Sequence, residues 1–195
     1  MNNFFIVGGQ RCATSWLYEA LDRQEGITML KPRFPEPKIF LNTNQELSCD
    51  KYLDLFGNAS KNSSQQMLGE KSTTYIESPE AASRIKKNFP GAKIIICLRD
   101  PTERALSNYF FSYKHGVETR TLQEVFLEEK DAPLIDLSKF STNPFSYIER
   151  GIYSRYLPIY TDIFTPTQVL VTFMENFTQE LSELQRIVSW LGGKS

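Results

Sequence analysis

The sequence is poor in several features that mark common classes of protein. It has no apolar run near the roughly 18–20 residues that a membrane-spanning helix needs, so we expect no membrane span. Its 22 basic and 23 acidic residues leave a net charge of −1, which argues against a broadly basic surface for nucleic acid. Its three cysteines form no CxxC pair and cannot all be joined in disulfides, which favours a reducing, cytoplasmic location.

The residues that are present suit one folded domain. The 195 residues are 41% hydrophobic and 13% aromatic, which is enough apolar material for a sizeable core and argues against disorder. We therefore predict a single domain over residues 1–195. The first eight residues lack a basic segment before their apolar run and are typical of a strand, so we expect no signal peptide.

Short apolar runs alternate with segments of helical periodicity. Strands are predicted over residues 4–7, 66–68, 93–98 and 169–173, and helices over residues 15–23, 79–88, 101–114, 151–163 and 176–191. Ser78-Pro79 and Asp100-Pro101 each place a capping side chain before a proline at the first helical position. The repeated order predicts an α/β fold, a doubly wound, mostly parallel central sheet with helices on both faces. Such sheets bind ligands at the carboxyl ends of their strands.

The first candidate site follows the first strand. Residues 8–16 read Gly-Gly-Gln-Arg-Cys-Ala-Thr-Ser-Trp, a glycine turn leading into a helix, where the backbone amides favour an anion. Arg11 adds a permanent charge, and Thr14 and Ser15 add hydroxyl donors. The segment predicts a P-loop-like phosphate site with these candidate ligands: Gly9, Gln10, Arg11, Cys12, Ala13, Thr14, Ser15 and Trp16. The alternative is an ordinary strand–helix turn with an exposed arginine.

The second candidate site follows the predicted strand at residues 93–98. Arg99 stands at the carboxyl end of this strand, and Ser107 lies two turns into the next helix, so both can face the crevice at the strand ends. An arginine and a hydroxyl are suited to hold a phosphate. The alternative is a local Arg99–Asp100 ion pair, with Ser107 on the surface of the helix.

Together, the two segments resemble the phosphosulfate-binding elements of the PAPS-dependent sulfotransferases, most closely their carbohydrate/heparan-type and bacterial branch. Arg11, Thr14 and Ser15 match the family's 5′ loop, Gly-x-x-Lys/Arg-x-Gly-Thr-Ser/Thr, with Ala13 where glycine is usual. The 3′ element, Arg-Asp-Pro-x-x-Arg-x-x-Ser-x-Tyr, is matched at Arg99, Asp100, Pro101, Arg104, Ser107 and Tyr109. The similarity runs from Phe4 to about Leu191.

The resemblance implies that the chain uses 3′-phosphoadenosine 5′-phosphosulfate (PAPS) and releases 3′,5′-ADP, with no metal required. The 5′-phosphosulfate would lie on residues 11–15, and the 3′-phosphate between Arg99 and Ser107. Family members usually continue into a loop that covers the donor, and we expect this chain to lack it after Leu191. Lys194 or a partner chain would then supply part of that role, or the donor site would be open and weak.

A third segment supplies a candidate catalytic base. Residues 31–40 read Lys-Pro-Arg-Phe-Pro-Glu-Pro-Lys-Ile-Phe, in which two prolines hold Glu36 in a stiff, extended backbone. A general base for an alcohol must lie within hydrogen-bond reach of the hydroxyl. In the branch that the chain resembles, a Glu-x-x-Phe-Phe-like segment carries the catalytic carboxylate. This implies the role of base for Glu36 and contacts with the acceptor for Lys38 and Phe40. The alternative, which the residues favour without the resemblance, is a solvated glutamate in a surface loop.

A fourth segment, Gly-Glu-Lys-Ser-Thr-Thr-Tyr at residues 69–75, resembles the acceptor-side Glu-Lys-Ser/Thr-x-x-Tyr segment of the same branch. Lys71 is then a candidate to stabilise charge on the transferring group or to bind the acceptor, and Glu70 is the alternative base. Tyr75 is a candidate contact with the acceptor, as is Tyr153 in a Gly-x-Tyr segment.

The resemblance therefore implies a sulfotransferase that moves a sulfuryl group in line to an acceptor hydroxyl, or to an amine. Arg11 and the loop amides would stabilise the leaving 5′-phosphate. Two alternatives stay open: a P-loop small-molecule kinase, which would need a lysine in the loop, and an inactive nucleotide-binding module. We expect a small-molecule, carbohydrate or lipid-like acceptor and no nucleic-acid partner, and association into a homo-oligomer stays an open possibility.

Overall fold

The computed structural model of the protein describes residues 2–41, 48–57, 66–140 and 142–193, and Lys194 lies outside them. The chain divides into two compact units. The first comprises Met1–Leu98 and Ser154–Ser195 and contains the sheet, and the second comprises Arg99–Tyr153. In the ranges just given for the structure, no helix combines the length and the apolar character that crossing a membrane requires.

The first unit is built on a parallel sheet, which has five strands among the described residues. In chain order they are β1 (Asn2–Gly8), β2 (Ile27–Met29), β3 (Met67–Lys71), β4 (Lys93–Leu98) and β5 (Val169–Phe173). Their order in the sheet is β2-β3-β1-β4-β5, and every neighbouring pair is parallel. The chain places β2 and β3 on one side of β1, and β4 and β5 on the other. The winding therefore reverses at β1, and such sheets bind ligands at the carboxyl end of that position.

Helices of the first unit cover both faces of the sheet. In chain order the helices are α1 (Thr14–Asp22), α2 (Cys49–Asp54), α3 (Pro79–Asn88), α4 (Pro101–Lys114), α5 (Leu122–Phe126), α6 (Leu157–Thr161), α7 (Met174–Gln179) and α8 (Leu181–Leu191), of which α4 and α5 belong to the second unit. Phe4 of β1 belongs to one apolar cluster with Leu17 of α1 and Val188 of α8. Phe5 lies on the opposite face, and its ring centroid is 5.5 Å from that of Phe40. The predicted doubly wound α/β fold is confirmed.

Two helices begin and end where predicted, because their boundaries are set by local chemistry. At the start of α3, the hydroxyl of Ser78 accepts a hydrogen bond from the backbone N–H of Ala81 at 3.0 Å. At the start of α4, the carboxylate of Asp100 accepts one from the N–H of Glu103 at 2.9 Å. In both helices a proline occupies the first turn, where its missing N–H leaves no bond unmade.

Three other predicted elements differ from the structure. Residues 151–163 form short 3₁₀ turns followed by α6, which has a proline in its first turn, in place of one helix. The helix predicted over 176–191 begins two residues earlier and is interrupted at Glu180, whose backbone is extended, and no glycine or proline marks that break. The strand predicted over 66–68 continues to Lys71, which takes Glu70 and Lys71 into the buried sheet. The short elements β2, α2 and α5 were not predicted.

Gly69 in β3 is packed too closely to accept a side chain. An added Cβ would lie 2.2 Å from Cζ of Phe4 and 2.6 Å from Sδ of Met29. Because overpacking forces neighbouring side chains off their rotamers, we expect Gly69→Ala to lower the free energy of unfolding by about 1–3 kcal/mol in denaturant titrations. Gly91→Ala is the matched control, since a Cβ there would have nothing within 4 Å. Equal losses for the two variants would contradict this packing.

Candidate active site

The loop between β1 and α1 turns tightly through two left-handed residues, Arg11 (φ 66°) and Ala13 (φ 53°). The N–H of Gly9 donates to the carbonyl of Cys97 at 2.6 Å, which ties the loop to the end of β4. A left-handed conformation costs an alanine roughly 1 kcal/mol. This explains why glycine is usual at the motif position that Ala13 occupies here. Backbone of alternating hand at the start of a helix forms a concavity that binds anions.

The side chains of this loop divide between surface and interior. Arg11 and Trp16 are exposed and Ser15 is half-buried, whereas Cys12 and Thr14 are buried. Cys12 belongs to the apolar core, so it can serve an anion only through its backbone. The loop therefore presents a guanidinium and a hydroxyl at its surface, together with its amides.

A buried ion pair lies beside the loop. The ammonium of Lys71, at the end of β3, is 2.7 Å from Oε1 of Glu36 and 3.4 Å from Oγ of Ser15. The side chains of Lys71 and Glu36 are only 2% and 11% exposed, so salt screens their attraction little. Lys71 reaches α1 because β3 is the neighbour of β1, with Lys71 paired to Ile6. The structure thus brings together three predicted residues from three separate segments.

The carboxylate of Glu36 is held on both oxygens. Thr73 donates its backbone N–H to Oε2 at 3.0 Å, and its hydroxyl lies 3.0 Å from each carboxylate oxygen. The ring centroid of Phe34 lies 4.8 Å from Nζ of Lys71, a distance at which the ring face attracts the ammonium. The sequence analysis did not identify Thr73 as a partner of Glu36. Thr73 lies only two residues after Lys71, and this spacing could have indicated that both residues lie near Glu36.

Glu70 adjoins Lys71 in β3 but points to the opposite face, because successive side chains of a strand alternate. It is fully buried, and its Oε1 accepts hydrogen bonds from the hydroxyls of Ser72 at 2.8 Å and Tyr75 at 2.6 Å. Burial, which disfavours the charged form, raises the pKa of Glu70 to about 7, although the two hydroxyls oppose this shift. Because Glu70 has no exposed surface, its burial disfavours the alternative prediction that it is the base.

Two residues predicted to contact the acceptor also lie in the interior. Phe40 and Tyr75 are almost fully buried, with their rings 6.0 Å apart and edge to face. Direct contact with an acceptor is not compatible with this burial. Their aromatic character reflects core packing on the Phe5 face of the sheet. Lys38 is half-buried, and its backbone N–H donates to the hydroxyl of Ser72 at 2.9 Å.

The second unit carries Arg99, directly after β4, and Ser107 in α4. The backbone of Arg99 is held by the phenol of Tyr153, which accepts from its N–H at 3.3 Å and donates to its carbonyl at 2.7 Å. The guanidinium of Arg99 lies 3.3 Å from the carboxylate of Glu103, one turn along α4, and Ser107 is half-buried. Tyr153, which was predicted to line the acceptor cleft, thus orients the backbone of Arg99.

These features define the class of protein: an α/β chain of P-loop-like architecture, with a loop suited to an anion and a carboxylate–ammonium pair at the carboxyl end of the sheet. Across the described ranges, no group of three or more His, Cys, Asp or Glu side chains is arranged to hold a metal ion. The family model of the sulfotransferase domain matches residues 1–195. The chain belongs to the sulfotransferase family, as predicted.

Individual relatives agree with this family. Human bifunctional heparan sulfate N-deacetylase/N-sulfotransferase 3 is 30% identical over 171 residues, which cover 86% of this chain and 19% of that protein. Human heparan sulfate glucosamine 3-O-sulfotransferase 3B1 is 30% identical over 130 residues, 66% of this chain and 32% of that protein. The chain therefore spans about a fifth to a third of the length of these relatives.

Solved structures show the same fold. A sulfotransferase from Alicyclobacillus acidocaldarius is 26% identical with a TM-score of 0.75, covering 100% of this chain and 82% of that one. The sulfotransferase domain from the curacin biosynthetic pathway is 13% identical with a TM-score of 0.65, covering 100% of this chain and 74% of that one, and shares the fold. The kinase alternative is not favoured by these comparisons.

The buried carboxyl of Glu70 leads to a pH dependence of stability. In the folded chain the carboxyl of Glu70 stays protonated up to about pH 7, whereas in the unfolded chain it loses its proton near its ordinary pKa of 4.5. The folded state thus binds more protons between these values, so stability falls as the pH rises through that window. We expect Glu70 to account for a loss of about 3 kcal/mol in the free energy of unfolding between about pH 4 and about pH 8.

Denaturant titrations of the parent and of Glu70→Gln at several pH values measure this loss. The variant has no proton to exchange at position 70, so its stability relative to the parent should rise steadily across the window. A difference between the two chains that stays constant with pH would contradict the assignment.

Proposed function

We propose that this chain transfers a sulfuryl group from PAPS to an acceptor hydroxyl or amine. The observation that carries the proposal is the Lys71–Glu36 ion pair, which lies beside Ser15 of the anion-binding loop. The pair places a partly exposed carboxylate and an ammonium next to the loop that would hold the phosphosulfate. Family membership supports the same reaction.

The residues of the loop fit a phosphosulfate. Arg11 is an exposed arginine, Ser15 adds a hydroxyl, and the backbone is left-handed at Arg11 and Ala13 just before α1, where amides at a helix start favour an anion. We assign the 5′-phosphosulfate to these groups, with the remaining loop positions contributing through their backbone. We assign the 3′-phosphate to Arg99 and Ser107, whose match to the family's 3′ motif supports this role.

The acid–base role falls to Glu36. The donor supplies the sulfuryl group and a phosphate as leaving group, so the chain must position the acceptor and take its proton. Glu36 keeps 11% of its side chain exposed, whereas Glu70 has no exposed surface, which supports Glu36 as the carboxylate that an acceptor hydroxyl approaches. Lys71 stabilises negative charge near the transferring group, and Arg11 stabilises charge on the leaving phosphate. We expect no requirement for magnesium.

The acceptor that we propose is a carbohydrate hydroxyl or amine. The names of two relatives describe heparan sulfate sulfotransferases, one acting on nitrogen and one on oxygen, which supports this acceptor class. The near-neutral net charge of −1 gives no broad basic surface for a long polyanion, so a short glycan fits this chain better.

Donor binding can be tested by thermal shift with 3′,5′-ADP. Because the guanidinium makes charge-assisted hydrogen bonds to phosphate, we expect Arg11→Ala to weaken 3′,5′-ADP by about tenfold or more. Arg23→Ala is the matched control, since Arg23 is an exposed arginine at the other end of α1. Stabilisation by ATP with magnesium and none by 3′,5′-ADP would contradict the donor assignment and favour a kinase.

The role of Glu36 can be tested with labelled PAPS and a panel of glycan acceptors. Loss of a general base lowers kcat by about 10²–10⁴-fold, and we expect this for Glu36→Gln while 3′,5′-ADP binding stays within about twofold. Glu25→Gln, at an exposed glutamate shortly after α1, is the control and should keep the parental kcat. No turnover by the parent with any acceptor would favour an inactive nucleotide-binding module.

A further inference from the structure

Two buried hydroxyls connect Glu70 to the segment that carries Glu36. The hydroxyl of Ser72 donates to Oε1 of Glu70 at 2.8 Å and accepts the backbone N–H of Lys38 at 2.9 Å. The hydroxyl of Tyr75 donates to the same oxygen at 2.6 Å and accepts the N–H of Phe40 at 2.9 Å. The two bridges therefore run in parallel from one carboxylate oxygen to two backbone amides.

The direction of these bonds follows from the chemistry of the carboxylate. A hydroxyl has one proton to donate, and Oε1 of Glu70 accepts it whether the carboxyl is ionised or carries its proton on Oε2. Glu70 therefore draws both hydroxyl protons toward itself, which leaves the hydroxyl lone pairs for the amides of Lys38 and Phe40. An apolar residue at position 70 would release both hydroxyl protons to turn toward other acceptors.

The bridges act on the backbone close to the proposed base. Lys38 and Phe40 lie two and four residues after Glu36, and Lys38 is left-handed (φ 51°), so this stretch departs from regular structure. Ser72 and Tyr75 are completely buried, so water does not compete for the bridging bonds.

We propose that Glu70 is a positioning residue, which holds residues 38–40 through Ser72 and Tyr75 and thereby fixes the carboxylate of Glu36 against Lys71. The catalytic part of this inference rests on the proposed function. Glu70 itself touches no reactant, because it has no exposed surface.

Other groups also face Glu70. Tyr52 of α2, Tyr160 of α6 and the carboxylate of Glu36 influence its charge, in addition to Tyr75. Tyr160 offers a matched control, because its phenol donates to the backbone carbonyl of Tyr75 at 2.8 Å and not to Glu70. Tyr160→Phe removes one buried hydroxyl from the same region and leaves both bridges intact.

The test compares Tyr75→Phe and Glu70→Leu with Tyr160→Phe in the sulfotransfer assay. Leucine has no oxygen to accept from Ser72 and Tyr75, and small errors in the placement of a base lower kcat steeply, so we expect a loss of kcat of about tenfold or more for Tyr75→Phe and Glu70→Leu. The KM for the acceptor and the affinity for 3′,5′-ADP should stay within about twofold, since neither variant touches the loop. Tyr160→Phe should keep kcat within about twofold of the parent.

A double-mutant cycle separates a positioning role that acts through Glu36 from a general loss of structure in the site. In a Glu36→Gln background there is no base to orient, so adding Tyr75→Phe should change kcat by less than about twofold. An undiminished kcat in Tyr75→Phe, an equal loss in Tyr160→Phe, or a full loss that persists without Glu36 would each overturn the inference.

Amide hydrogen exchange provides a readout that needs no activity. Loss of the acceptor for its N–H should speed exchange at Phe40 by about tenfold in Tyr75→Phe and leave Tyr160→Phe unchanged. If the parent transfers no sulfuryl group, the proposed function fails and exchange alone decides whether the bridges hold this segment. Unchanged exchange at Phe40 would overturn the inference in either case.

Discussion

The arrangement of the site depends on the ion pair between Lys71 and Glu36. Removing both charges from water is costly, and a buried pair is often no more stable than apolar residues of the same volume. Here the cost is offset by hydrogen bonds, because Thr73 satisfies both oxygens of Glu36 and Lys71 also lies 3.4 Å from Ser15. The pair links the proline-rich segment, the end of β3 and the loop between β1 and α1. It therefore holds three segments of the site together, in addition to any contribution to stability.

We propose different roles for the two carboxylates nearest the site, because their environments differ. Glu36 pairs with Lys71 and keeps some exposure, whereas Glu70 is enclosed by tyrosines, and burial raises its pKa. The exposure of Glu36 supports the proposed role of base, and the complete burial of Glu70 supports the proposed positioning role. The alternation of β3 creates this division, since it sends adjacent residues to opposite faces of the sheet.

Local chemistry predicted much of the fold. The caps and prolines before α3 and α4, and the apolar run of β4, are signals carried by a few adjacent residues. The break at Glu180 and the short β2 have no such signal, because tertiary packing decides them. Within the site, the motifs named Arg11, Glu36 and Lys71, but the choice between Glu36 and Glu70 required the true extent of β3. Once the strand runs to Lys71, alternation alone places Glu70 with Phe5 and away from the loop.

Sheet topology explains why residues so far apart in sequence converge. β1 and β3 are parallel neighbours, so the loop after β1 and the segment after β3 leave the sheet at the same edge. The winding reverses at β1, so the loop that follows it is not covered by a direct crossover to the adjacent strand. The proline-rich segment then needs only to reach this edge, and the bonds from Ser72 and Tyr75 to its backbone hold it there. Strand order therefore brings the segments of the candidate site to one edge of the sheet, and hydrogen bonds between side chains and backbone then fix their positions.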